Sequence, residues 1–197
     1  MPPRTVQILA FDGMEVLDYA GPYEVFNVAA ELSEPSAFSV ASVGVTSRPV
    51  GRGGFAVIPD FTLADAPVAD IIVVPGGRGT RVLQRDEALL TWVRERTAAA
   101  SLLITVCTGA LIAASAGLLD GLSATTHHGA FDELAAASPS TTVIRGRRFV
   151  RSSDRIRTSA GVSAGTDLAL AIVAELAGQT VHDAVVAEME WRWDDRG

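Results

Sequence analysis

The sequence predicts an α/β protein with a mainly parallel sheet, and three observations carry that prediction. Strand-like apolar runs alternate with helical segments along the chain. Two of the runs, Ile71 to Val74 and Leu102 to Val106, are apolar at nearly every position, as strands covered on both faces by helices must be. The runs also end on abrupt breaks, Asp12-Gly13, Pro75-Gly76-Gly77 and Cys107-Thr108-Gly109.

Taken in order, Val6–Phe11 reads as the first strand, closed by Asp12-Gly13. Gly21-Pro22 opens a helix through Val28, with Pro22 suited to a first turn. Ala37 to Val45 alternates at Phe38, Val40, Ser42 and Val43 and reads as the second strand. Gly51 to Gly54 is a turn, and Phe55–Ile58 a short further strand. Asp70–Val74 is a buried strand, followed by a helix from about Asp86 to Ala99 with Leu89, Leu90, Val93 and Thr97 on one face. Ser101–Val106 is the next strand, and its Ala/Leu/Ile-rich helix ends near Gly117. Ala124–His127 reads as a short strand before a helix around 130–137, and 147–158 as a hairpin turning at Ser153-Asp154-Arg155. The helix after Gly161 is apolar nearly all round, hence buried. A last amphipathic helix holds Val181, Val185 and Met189, with Trp191 and Trp193 at its end. No repeat, linker or low-complexity segment divides residues 1–197, so one domain is expected.

Composition narrows the function. With 48% hydrophobic and 20% charged residues among 197, the chain has a globular composition with one substantial core. Met1-Pro2-Pro3-Arg4 leads straight into a strand, no apolar run reaches membrane-spanning length, and the single cysteine makes no internal disulfide. A cytoplasmic protein acting on a small molecule is expected, with no membrane partner. A net charge of −7 argues against a general nucleic-acid binder. All 16 basic residues are arginine, which excludes a Schiff-base lysine, a lysine base and a P-loop lysine. One cysteine and three histidines do not suggest a structural zinc site, and no G-x-G-x-x-G fingerprint occurs. No cofactor is expected.

The chemistry gathers at Cys107, where a central strand turns into a helix. Unpaired N–H groups and the positive end of the helix dipole face a thiol so placed. Cysteines in such places reach pKa values of about 3.5–7.5; the alternative is a small buried apolar residue. In parallel sheets ligands bind beyond the carboxyl ends of the strands, where the loops at 12–21, Pro75-Gly76-Gly77 and Cys107-Thr108 all fall. Asp18 is either a helix-start carboxylate or an acid facing Cys107, in which case burial and the nearby thiolate raise its pKa. Gly76 and Gly77 either make a turn or bring a backbone N–H to substrate, which with the N–H of Thr108 would form an oxyanion clamp. His127 and His128, adjacent on a strand, are expected to point to opposite faces, so that at most one reaches the site. Gly161-Val162-Ser163-Ala164-Gly165 matches the serine-hydrolase elbow. In that fold, however, an acid and then a histidine follow the serine, and here only His182, in a predicted helix, comes after it. The arginines from Arg145 to Arg157 read as a solvated hairpin.

With these residues in view, the chain resembles the ThiJ/PfpI superfamily, which is related to class I glutamine amidotransferases. The resemblance runs nearly end to end. It is carried by Leu17-Asp18-xx-Gly21-Pro22, Val74-Pro75-Gly76-Gly77, Val106-Cys107-Thr108-Gly109, Ala124-Thr125-Thr126-His127 and Thr158-Ser159-Ala160-Gly161-xx-Ala164-Gly165-xx-Leu168. It implies a flavodoxin-like three-layer sandwich, a homodimer, and a cysteine on a strained nucleophile elbow. Asp18 and Cys107-Thr108-Gly109 resemble the isonitrile hydratase branch and equally the sensor domains of AraC-type regulators. The stretch after Gly178 is short for the regulators' DNA-binding half. Carried over, Cys107 is the nucleophile, Asp18 the proton donor and Thr108 an assisting hydroxyl, with Gly76, Gly77 and His127 binding. The expected activity is hydration of isonitriles to N-substituted formamides. The alternatives are glyoxalase-like chemistry on 2-oxoaldehydes with His127 as base, or a sensor without catalysis.

Overall fold

Seven strands in the order β3-β2-β1-β4-β5-β9-β8 form the sheet of this computed structural model, which describes residues 2–192. β1 (Arg4–Ala10) pairs in parallel with β2 (Phe38–Gly44) on one side and β4 (Ile71–Val74) on the other. β2 carries β3 (Phe61–Thr62) at its outer edge. β5 (Leu102–Val106) continues the sheet in parallel, with Val73 opposite Ile104. Two short strands, β6 (Ser123–Ala124) and β7 (Thr142–Val143), pair apart from the main sheet. β8 (Phe149–Arg151) closes the far edge antiparallel to β9 (Ile156–Ser159), which is the expected hairpin. The parallel strands β2-β1-β4-β5-β9 have the flavodoxin-like order, in which the chain changes direction between β1 and the next strand inward.

β4 and β5 are buried at every residue because helices cover both faces. On one face α1 (Val16–Glu31) packs against α6 (Ala164–Ala177) and α7 (Gln179–Glu188). On the other, α4 (Gly109–Ser115) lies among α2 (Thr80–Leu83), α3 (Glu87–Ala99) and α5 (Phe131–Ala137). Asp86 caps α3, accepting from the N–H groups of Ala88 and Leu89. The α1–α6 crossing is tight enough that a Cβ on Gly21 would sit 2.5 Å from Thr166 Oγ1. Trp191 Nε1 donates to Asp167 Oδ1 (2.8 Å), tying the chain after α7 to α6; Trp193 lies outside the described residues.

Four local expectations are corrected. α1 starts at Val16 rather than near Gly21, so Pro22 lies inside the helix. Its first turn is set from outside, where Glu15 N–H donates to Gly76 O (2.9 Å). The expected strand at Phe55–Ile58 is only a single bridge, Val50 to Ala56, after a 3-10 turn at Arg52–Gly54, and the outer strand is β3 instead. The strand read at Ala124–His127 ends at Ala124. His127 and His128 therefore do not diverge: their rings pack 4.1 Å apart, because both lie where the chain enters the 3-10 turn His128–Ala130. The arginines of the hairpin region agree with a solvated hairpin paired with acidic groups, through Arg145–Asp132, Arg148–Asp167, Arg151–Asp154 and Arg157–Glu175. No helix among the described residues is long and apolar enough to cross a membrane.

Candidate active site

The ends of β1, β4 and β5 converge at the topological switch point, and Cys107 sits at the last of them. Its φ of 56° is a left-handed conformation that non-glycine residues rarely adopt. That backbone is held from several sides. Cys107 N–H is shared between Ser159 O (3.1 Å) and Ala160 O (3.2 Å), and Cys107 O accepts from Thr126 Oγ1 (2.7 Å). Gly109 is required two residues on, since a Cβ there would lie 2.2 Å from Val74 O. The elbow lifts the sulfur to the floor of a cavity of about 550 Å³, and the residue is 6% exposed.

Asp18 lies directly beneath. The first turn of α1 delivers its side chain, fully buried, with Oδ2 accepting from Gly76 N–H (3.1 Å). The Cys107 thiol is within hydrogen-bonding reach of the carboxyl, and Val162 N–H faces both groups. Oδ1 is buried with no hydrogen-bond partner among the described residues, so the carboxyl has an oxygen open to a proton. Burial and, less strongly, the charge of Glu15 raise the Asp18 pKa from 3.8 to about 7.

The thiol departs from expectation. Burial, followed by the Asp18 charge, pushes Cys107 up to about 12 instead of down, despite the Thr108 N–H that favours the thiolate. A helix of seven residues supplies too little dipole to offset loss of solvent beside a carboxylate. Above about pH 7 the pair keeps a single proton, on the thiol, and the two groups titrate together.

The glycine loop also acts differently from the expected clamp. Gly76 N–H is spent on Asp18 and Gly77 N–H on Thr108 Oγ1 (2.9 Å). This leaves Thr108 N–H and Val162 N–H as the backbone donors facing the sulfur. The Thr108 hydroxyl, bonded also to Gly77 O (3.1 Å) and Thr80 Oγ1 (3.2 Å), holds the loop and is not free to assist a reaction. Gly77 is conformationally obligatory, with φ 129° and Gly13 O 2.4 Å from where its Cβ would lie.

His127 reaches the cavity wall, packed so closely on Gly161 that a Cβ there would sit 2.2 Å from Cδ2. Its Nδ1 accepts from Gly129 N–H (3.1 Å), which places the proton of the neutral ring on Nε2. Burial, His128 and Arg81 lower its pKa, so the neutral form predominates near pH 7. Ser163 is no nucleophile: its hydroxyl accepts from Arg148 Nη2 (3.1 Å) beside the N-terminus of α6.

Sequence reasoning missed Val162, Glu15 and the arginines of the cavity, Arg52, Arg78 and Arg81. Val162 has φ 56° within the stretch set aside as a hydrolase decoy, and a strained residue between two glycines was the available signal. Glu15 and Arg52 form an ion pair across the loops (2.8 Å), and Arg81 a two-pronged pair with Glu133 (2.9 and 2.7 Å). Those pairings join segments far apart in sequence and leave no local pattern.

These features define a doubly wound α/β protein whose strained cysteine elbow stands over a buried acid at the sheet's switch point. The profile of the DJ-1/PfpI family matches residues 4–175, and the chain belongs to that family. It is 35% identical to an isonitrile hydratase of Pseudomonas putida, over 94% of this chain and 78% of that protein. It is 28% identical to the HTH-type transcriptional regulator GbdR of Pseudomonas aeruginosa over 95% of this chain, spanning half of the regulator's length. A ThiJ/PfpI family protein from Pseudomonas syringae superposes with TM-score 0.87 at 30% identity, over 100% of this chain and 78% of that one. Drosophila melanogaster DJ-1beta shares the fold at TM-score 0.83 and 19% identity, over 98% and 100%.

Proposed function

We propose that this protein hydrates isonitriles to N-substituted formamides, with Cys107 as nucleophile and Asp18 as proton carrier. The observation that carries this reading is a fully buried carboxyl within hydrogen-bonding reach of a thiol at a cavity floor. An isonitrile needs that pairing, because its terminal carbon takes up a nucleophile and a proton in turn. Asp18 accepts the thiol proton as sulfur bonds to the carbon, then returns it to the same carbon, giving a thioimidate. The Asp18 carboxylate next takes a proton from water as the oxygen adds, and passes it to nitrogen. Collapse of the tetrahedral adduct breaks the C–S bond, releases formamide and restores the thiol. The sum is one isonitrile plus one water, with no redox change. Likeness to the P. putida hydratase over most of the chain supports the same reading.

His127 argues against the 2-oxoaldehyde alternative. That chemistry needs a base, and the ring presents a donor, its Nδ1 lone pair being engaged by Gly129. The test is incubation with a simple aryl isonitrile beside Cys107→Ala. Formamide from the native protein and none from the variant is expected; no formamide from the native protein removes the assignment.

A further inference from the structure

The charges on the cavity wall point to a substrate class within this reading. Glu15, Arg52, Arg78 and Arg81 line the cavity, in a chain whose net charge is −7. Glu15 is engaged by Arg52, and Arg81 by Glu133 with a further bond to Gly77 O (3.3 Å). Arg78 makes no side-chain hydrogen bond or ion pair with the described residues. An arginine on the lining of a cleft, facing no acid of its own, concentrates anions there.

Its position is built. Arg78 follows Gly77, whose N–H is fixed to the residue after Cys107. Gly79 N–H donates to Gly13 O (3.3 Å), and Arg52 N–H to Met14 O (2.9 Å), so both loops latch onto one turn and bring the two arginines to the same side. Cys107 and Arg78 thus line one cavity, with Cys107 buried at its floor and Arg78 exposed towards its mouth.

Resting on the hydratase reading, we propose that the substrate is an isonitrile bearing a carboxylate, whose anion is held by Arg78 while its isonitrile carbon meets Cys107. A carboxylate fits because one guanidinium, unpaired among the described residues, offers it two parallel N–H bonds. A phosphate dianion would call for a second unpaired donor, and Arg52 and Arg81 are already engaged.

Two measurements on the full chain test this separately from the hydratase reading. In the first, kcat/KM is compared for 4-isocyanobenzoate and its methyl ester. The acid is expected to be preferred, and the acid-to-ester ratio to fall about tenfold in Arg78→Gln, the loss of one charge-assisted contact. In the second, the alkylation rates of Cys107 by iodoacetate and iodoacetamide are compared, with glutathione as reference thiol. The iodoacetate-to-iodoacetamide ratio is expected to exceed that of glutathione and to fall to it in Arg78→Gln. If neither isonitrile reacts but this ratio is raised and depends on Arg78, the anion site stands and the hydratase reading falls. A ratio no higher than that of glutathione, or one unchanged in Arg78→Gln, overturns the anion site even where both isonitriles are hydrated.

Discussion

Replacing Asp18 with asparagine separates the two roles assigned to the carboxyl, because they move in opposite directions. The amide oxygen still accepts from Gly76 N–H, so the fold around the site is retained. The charge beside the sulfur is lost. Two unit charges about 4 Å apart at an effective dielectric of about 20 repel by about 4 kcal/mol. That figure is an upper bound, because burial is the larger cause of the raised thiol pKa and persists in the variant. Removing the charge lowers the thiol pKa by about 1, at 1.36 kcal/mol for a tenfold change in ionisation. At pH 7.5 the thiolate fraction then rises roughly tenfold, while the less basic sulfur loses about half of that gain on a logarithmic scale, leaving roughly threefold. The assay is the rate of iodoacetamide incorporation by mass spectrometry, which reports one site because the chain has one cysteine. Isonitrile turnover by the same variant falls by roughly 10²–10⁴, the worth of a positioned proton carrier. An Asp18→Asn protein alkylated no faster than native would refute the account, since the carboxylate would not then be what keeps the thiol protonated.

The same carboxyl makes stability depend on pH. Its pKa is higher folded (about 7) than unfolded (3.8), so its contribution is fully present below about pH 4 and is lost as pH rises through 7. Urea unfolding should show the native protein losing as much as roughly 4 kcal/mol relative to Asp18→Asn between pH 4 and pH 8; parallel pH curves would sink this. Gly165→Ala puts a Cβ 2.6 Å from Val106 Cγ1, forcing α6 off β5. A loss of about 1–3 kcal/mol is expected, read as a fall in Tm of at least about 2 °C. His127→Gln keeps a donor at the cavity wall and removes any base, so formamide production should survive within about tenfold. Loss of all turnover in that variant would show that the histidine carries protons itself.

The parallel core was legible because burial on both faces leaves a continuous apolar run, as in Ile71–Val74 and Leu102–Val106. Cys107 was legible as a break between such a run and an alanine-rich helix. Asp18 could be singled out but not placed, since its helix begins where Gly76 O captures Glu15 N–H, a contact between residues far apart in sequence. The strands at Phe61 and Thr142 have two residues each, too short for any periodicity to register. The histidine pair was misjudged because alternation applies only while the strand lasts, and here it stops three residues early. The thiol pKa was misjudged for a physical reason: a helix start favours an anion only where water or a cation shares the load, and the nearest charge belongs to Asp18.

The raised thiol pKa bears on the proposed reaction. A thiol near 12 is a poor nucleophile in isolation and is protected from adventitious oxidation and alkylation, which act on thiolate. It becomes reactive only when its proton has somewhere to go at the moment the sulfur forms a bond, and Asp18, poised near 7, is the acceptor in reach. Such a site favours electrophiles that also need a proton on the attacked atom, because the carboxyl is regenerated in the same step. An isonitrile carbon meets that condition. An aldehyde carbon does not, since addition there places the negative charge on oxygen, for which Gly76 and Gly77 N–H are already committed to Asp18 and Thr108 and only the Thr108 and Val162 N–H groups remain. The hydrogen bonds that seat Asp18 and fix the glycine loop are thus the same ones that narrow the chemistry open to Cys107.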